Sequence, residues 1–181
     1  MKIKNSSLKD LAIYISDYLS KNDIDAVLSG GACVSIYTDN KYISSDLDFV
    51  LFSFADQKKL RYVLEKIGFY EENRQFKHKD TEFFIEFLPP PPSVGEEPVN
   101  EISEIKKGDM NLKLLSPTDC VKDRLAAFYH WNDRQCLEQA ILVCMDNPVD
   151  LKEVERWSRM EGMSNKFKIF RKRLKENLNL E

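Results

Sequence analysis

The segment Asp46-Leu47-Asp48-Phe49-Val50-Leu51 alternates acids with large apolar residues, and no other pattern in the chain restricts the fold so tightly. Side chains two apart on a strand share a face. Leu47, Phe49 and Leu51 thus form one apolar face, and Asp46 and Asp48 project from the other, about 7 Å apart at the backbone. Burial of the apolar face holds both acids at the mouth of a cleft, where two carboxylates can converge on one hard divalent cation. Upstream, the apolar run Ala26-Val27-Leu28 leads into Ser29-Gly30-Gly31 and a helix-compatible stretch. A glycine turn entering a helix leaves backbone N–H groups for phosphate, so phosphate chemistry is the expectation.

Around this block the periodicity predicts further elements. Leu8, Leu11, Ile15, Tyr18 and Leu19 recur at helical spacing behind the cap Ser7, giving a helix over 7–21. A short strand at 25–29 precedes a helix at 30–38, and the acidic strand runs over 43–52. Residues 56–67 carry an apolar stripe stopped by Gly68. Residues 74–79 alternate weakly, and 82–88 read as a strand ended by Pro89-Pro90-Pro91-Pro92, which with the following residues to Pro98 predicts a stiff extended loop. A strand at 112–115 reaches Ser116, a helix cap with Pro117 at the first helical position. Helices are then expected at 117–131, 133–146, 150–160 and 164–178. The fold class is α+β: a mixed β-sheet flanked by helices over residues 1–115, followed by a C-terminal helical bundle over 116–181 packed on that core.

Composition excludes several alternatives. No apolar run approaches membrane-spanning length, and the start of the chain has no secretory pattern, so a cytoplasmic protein with no membrane partner is expected. Cys33, Cys120, Cys136 and Cys144 form no C-x-x-C pair, and with His78 and His130 as the only histidines they read as reduced thiols rather than a zinc site. The net charge of −3 argues against broad, sequence-independent nucleic-acid binding. The basic run Lys166–Lys175 reads as the solvated face of a helix whose core stripe is Phe167, Phe170, Leu174 and Leu178. His130 and Trp131 read as packing at a helix end. P-loop, dinucleotide-binding and G-x-S-x-G signatures are absent.

Leu28-Ser29-Gly30-Gly31 followed by Asp46-Leu47-Asp48 resembles the minimal nucleotidyltransferase superfamily, in which a strand, a glycine turn, a helix and an Asp-x-Asp strand follow one another. Ser116-Pro117-Thr118-Asp119 and Lys122-Asp123-Arg124-Leu125-Ala126-Ala127 look most like its toxin-type branch, found in abortive-infection and toxin–antitoxin systems. The resemblance implies a nucleotidyltransferase-like fold. It also implies transfer of a nucleoside monophosphate from a nucleoside triphosphate to a hydroxyl of RNA (tRNA above all), a protein or a small molecule. Asp46, Asp48 and Glu86 would be catalytic and would hold Mg2+ or Mn2+, with Glu82 the alternate third acid and Glu86 helping to deprotonate the acceptor. Ser29, Gly30 and Gly31 would cradle the β- and γ-phosphates. Arg124 would clamp the triphosphate, Lys122 being the other basic candidate on a different helical face. The chain departs from the pattern in having Glu where Asp is commoner at the third acid, Arg where Lys is usual, and an imperfect motif around Asp133 and Glu138. A non-catalytic module that keeps the fold to bind a protein or nucleic acid is the competing reading, and a metal-dependent nuclease is a third.

Overall fold

The computed structural model describes residues 3–178. In chain order the elements are α1 (Leu8–Ser20), β1 (Ala26–Ser29), α2 (Gly30–Tyr37), β2 (Asp46–Leu51), α3 (Gln57–Glu65), β3 (Tyr70–Glu72), β4 (Gln75–Lys77) and β5 (Phe84–Leu88). There follow β6 (Ser93–Val94), β7 (Glu97–Pro98), β8 (Ile102–Lys107), β9 (Met110–Leu115), α4 (Pro117–Trp131), α5 (Arg134–Asp146), α6 (Leu151–Met160) and α7 (Ser164–Leu178). Seven strands form one mixed sheet in the order β3-β4-β5-β2-β1-β9-β8. β1 runs antiparallel to β2 and parallel to β9, and β2 runs parallel to β5. The fold is therefore α+β, as the periodicities predict.

The alternation in β2 decides where this sheet is dry. Leu47 and Phe49 are fully buried and Leu51 nearly so, while Asp46, Asp48 and Val50 are half-buried on the opposite face. On β1, Ala26, Val27 and Leu28 are all buried, as expected of a central strand covered on both sides. One hydrophobic cluster continues from α1 and the sheet into α4–α7, taking in Leu125, Ile141, Trp157 and Phe170. Ser7, Asp56, Ser116, Asp133 and Asp150 cap helices with their side chains, so most helix starts lie within a residue or two of where their cap signals put them.

Three short pieces depart from the sequence reading. β3 turns back on β4 as a hairpin, and β8 pairs along its whole length with β9. The proline-rich stretch is not wholly an extended loop: Ser93–Val94 and Glu97–Pro98 close a two-stranded hairpin separate from the main sheet. Gly95, at φ +61°, turns it, and it is fastened to α6 by the Trp157 indole N–H donating to the Val94 carbonyl and by Arg156 binding Glu97. All four cysteines are free, and Cys33, Cys120 and Cys136 are buried. Among the described residues no helix is long and apolar enough to cross a membrane.

Lys122 belongs to this framework. Its ammonium is buried between Glu153 (2.7 Å) and Asp119 (3.3 Å), tying α4 to α6. Lys122→Met is expected to lower Tm by about 5–10 °C in a thermal melt, because it leaves Asp119 without its cation in a nearly dry site, a loss of roughly 2–3 kcal/mol. Glu153 keeps Arg156, which limits the damage.

Candidate active site

Strand register brings the acids together. Asp48 pairs with Ser29 on β1 and with Glu86 on β5, so Glu86 stands beside Asp48 on the same sheet face and Asp46 lies two residues along it. Glu82 precedes β5 and is exposed, off the strand that carries Glu86. Burial pushes the Asp48 carboxyl up to about 7, and the negative charges of Asp46 and Glu86 push in the same direction. Arg124 opposes them, so its guanidinium acts on the Asp48 carboxylate, while Asp123 adds to the acidic field.

The glycine elbow is built against this cluster. Gly30 has φ +67°, and a Cβ there would lie 2.2 Å from Asp48 Oδ2. A Cβ on Gly31 would lie 2.8 Å from Ser44 Oγ and 3.2 Å from the Tyr42 ring. Both glycines are buried beneath these side chains. The Ser29 hydroxyl makes no capping bond to α2 and instead donates to the Asp48 carbonyl at 3.3 Å.

Two polar residues outside the sequence prediction hold the acids. Ser44 Oγ donates to Asp46 Oδ1, and the Ser44 N–H donates to Ser35 Oγ at 2.9 Å, which itself donates to the Gly31 carbonyl at 3.2 Å. A relay thus runs from the elbow helix to Asp46. Gln75 on β4 donates to Glu86 Oε1 at 2.7 Å. Ser44, two residues before Asp46, is visible as a candidate from strand period alone. Gln75 is not, since its role exists only through the pairing of β4 with β5.

Arg124 is mostly buried and is bound by its neighbour Asp123, with further contacts to Gln139 Oε1 (3.4 Å) and Cys136 Sγ (3.8 Å) on α5. Burial works against its charge, but the adjacent Asp123 carboxylate more than offsets this and keeps the guanidinium protonated. The same α4 turn sends Lys122 toward α6, so the structure joins Arg124, and not Lys122, to the acidic cluster.

Three carboxylates on one sheet face are a donor set suited to a hard divalent cation. As they stand, Asp46 and Glu86 each face a protein donor, and among the described residues no group of three His, Cys, Asp or Glu side chains is gathered closely enough to hold an ion. The donor chemistry fits a divalent cation; a ligand shell would require Ser44 and Gln75 to share their acceptors.

No family model matches the sequence, and no curated protein matches it. Among solved structures the chain is similar to an antigenic nucleotidyltransferase-like protein from Paracoccidioides brasiliensis, with a TM-score of 0.59 and 15% identity over 77% of this chain and 76% of that one. It also aligns with the antibiotic-resistance factor ANT(2'')-Ia in solution, at TM-score 0.49 and 12% identity over 95% and 96% of the two chains. The same factor in complex with adenylyl-2''-tobramycin gives 0.47 and 10% over 93% and 99%. With its mixed sheet, glycine elbow and Asp-x-Asp strand, the chain has a nucleotidyltransferase-like fold.

Proposed function

We propose that the protein is a Mg2+-dependent nucleotidyltransferase that moves a nucleoside monophosphate from a nucleoside triphosphate to a hydroxyl on RNA, a protein or a small molecule. The observation that carries this reading is that Asp46, Asp48 and Glu86 share one sheet face beside the Gly30 elbow, with the Asp48 carboxyl raised to about 7. Asp46, Asp48 and Glu86 would hold the cation, which when bound supplies charge stabilisation for the phosphates and acidifies a nearby hydroxyl. Glu86, beside Asp48 on β5, would also help to take the acceptor's proton. Arg124, shielded from water and held by Asp123, would oppose the charge that develops on the transferred phosphoryl group.

The test is incubation with Mg2+, each α-labelled nucleoside triphosphate and separate pools of RNA, protein and aminoglycosides. Label should pass to one pool with release of pyrophosphate. Metal-dependent nucleotide binding without transfer to any pool would instead favour a non-catalytic module, and neither binding nor transfer would remove the reading altogether. We propose in addition a toxin-type role: induced expression of the wild-type chain should slow bacterial growth, and that of the Asp48→Asn variant should not.

Ser44→Ala supplies a finer check. It removes the donor to Asp46 without touching the carboxylate, so the turnover rate should fall about tenfold, with Tm within about 3 °C of wild type. An unchanged rate would show that the Ser35–Ser44–Asp46 relay is structural only.

A further inference from the structure

α7 concentrates charge that the rest of the chain does not have. It carries Lys166, Lys168, Arg171, Lys172, Arg173 and Lys175 against the single acid Glu176, in a protein whose net charge is −3. Phe167, Phe170 and Leu174 turn inward, and Lys168, Arg171, Lys172, Arg173 and Lys175 occupy the outward surface of a helix about 22 Å long, while the Lys166 ammonium donates to the Phe128 and Tyr129 carbonyls. Beside it lies a groove of about 430 Å3 between α5 and α7, with Phe128 and Leu137 in its lining and Arg134, Lys166 and Arg173 around them.

What the groove can bind follows from what it has left to offer. Phe128 and Leu137 are already 4% and 5% exposed, and only Ile169, at 50%, has substantial apolar surface to lose. An amphipathic acidic helix would gain little hydrophobic energy there. Charge is the larger resource. Arg173 is partly neutralised by Glu138 and Glu176, and Arg171 by Glu155. Arg134, Lys168 and Lys175 have no acid within ion-pair distance among the described residues. Trp131, three residues beyond Phe128 on α4, is 77% exposed and offers a flat ring for stacking a base. A row of cations with an exposed indole nearby suits a flexible phosphodiester chain.

We propose that the outward face of α7 and its groove with α5 form a docking surface for single-stranded RNA. This surface is distinct from the acidic cluster, and its occupation does not depend on nucleotidyl transfer. Phe128 lies one helical turn along α4 from Arg124, so a strand in the groove would run close to the candidate active site.

Fluorescence anisotropy of a labelled single-stranded RNA 20-mer, titrated with the full chain over a range of KCl, tests the surface. Binding is expected to weaken with salt with a log–log slope of roughly −3, from about four phosphate contacts. Arg134→Glu with Arg173→Glu should weaken it at least about tenfold and flatten the slope, Lys168→Glu with Lys175→Glu should act likewise, and Lys58→Glu on α3 should change affinity less than about twofold. Circular dichroism shows which variants remain folded, and two separate pairs keep the test alive if one does not. Asp48→Asn should bind RNA normally, which separates this surface from the transfer reaction. No RNA binding at low salt, affinity indifferent to both charge reversals, or capture of a labelled poly-glutamate peptide in preference to RNA would each overturn the proposal.

Discussion

Asp48→Asn is expected to reduce nucleotidyl transfer at least about a thousandfold while making the metal-free protein more stable. The two effects share one cause. Asp48 is half-buried beside Asp46 and Glu86, and its carboxyl is pushed up to about 7 first by desolvation and then by those two charges. The folded state therefore holds a proton on Asp48 more tightly than the unfolded chain does. The group favours folding below about pH 4, and this contribution is lost as pH rises through 7. The gap from an ordinary aspartate would be worth at most about 4 kcal/mol for a rigid site, and relaxation of a half-buried carboxylate toward water reduces it to roughly 1–2 kcal/mol. Asparagine keeps the shape and removes the charge, so at pH 8 without metal Tm should rise by about 3–6 °C. At pH 5 the gain should be smaller, and it should vanish only below about pH 4. Melting both proteins at the two pH values measures it, and an equal or lower Tm for the variant at pH 8 would show that Asp48 is not electrostatically strained.

That strain also marks what could be read from the chain alone. β2 was legible because alternation and burial have the same period, and Asp46 and Asp48 came with it. The helices α4 and α7 were legible to their end residues because Ser116 and Pro117 punctuate one and the Phe167–Phe170–Leu174 stripe sets the other. Outward-turned Leu178, 51% exposed, shows where that stripe leaves the core. β3, of three residues, and the two-residue strands of the proline-rich hairpin are too short to show a period. β8 is amphipathic without being buried, since its Lys106 and Lys107 face solvent at a sheet edge. Its strand character comes from pairing with β9 across the two-residue turn Gly108-Asp109, so it depends on register with a partner strand rather than on a period of its own. The same holds in the candidate site. Glu86 could be proposed from its apolar neighbours, but Gln75 gains its role only by register, and Asp123 only because the α4 turn carrying Arg124 faces the acids.

Gly30→Ala should be the more damaging of the two elbow substitutions, and it tests whether elbow and acid are one unit. Alanine at φ +67° costs about 1–2 kcal/mol from backbone strain alone. Its methyl would also stand 2.2 Å from Asp48 Oδ2, well inside contact distance, so the carboxylate or the turn must move. Transfer should fall at least about a hundredfold and Tm by about 6–12 °C, for a total of roughly 3 kcal/mol. Gly31→Ala carries no left-handed strain, but its methyl would stand 2.8 Å from Ser44 Oγ and 3.2 Å from the Tyr42 ring, so it should cost about half as much, chiefly by disturbing the Ser44 bond to Asp46. The decisive comparison places Gly30→Ala in an Asp48→Ala background. With the carboxylate gone the 2.2 Å clash is removed and only the backbone part and a 3.2 Å approach to the residue-48 Cβ remain, so the double variant should be more stable than additivity allows by at least about 1 kcal/mol in urea denaturation. If Gly30→Ala costs the same in both backgrounds, the glycine merely closes a turn. Coupling of the expected sign would mean that residue 30 lacks a side chain because Asp48 occupies its space, which is why the turn and the acidic strand are found together.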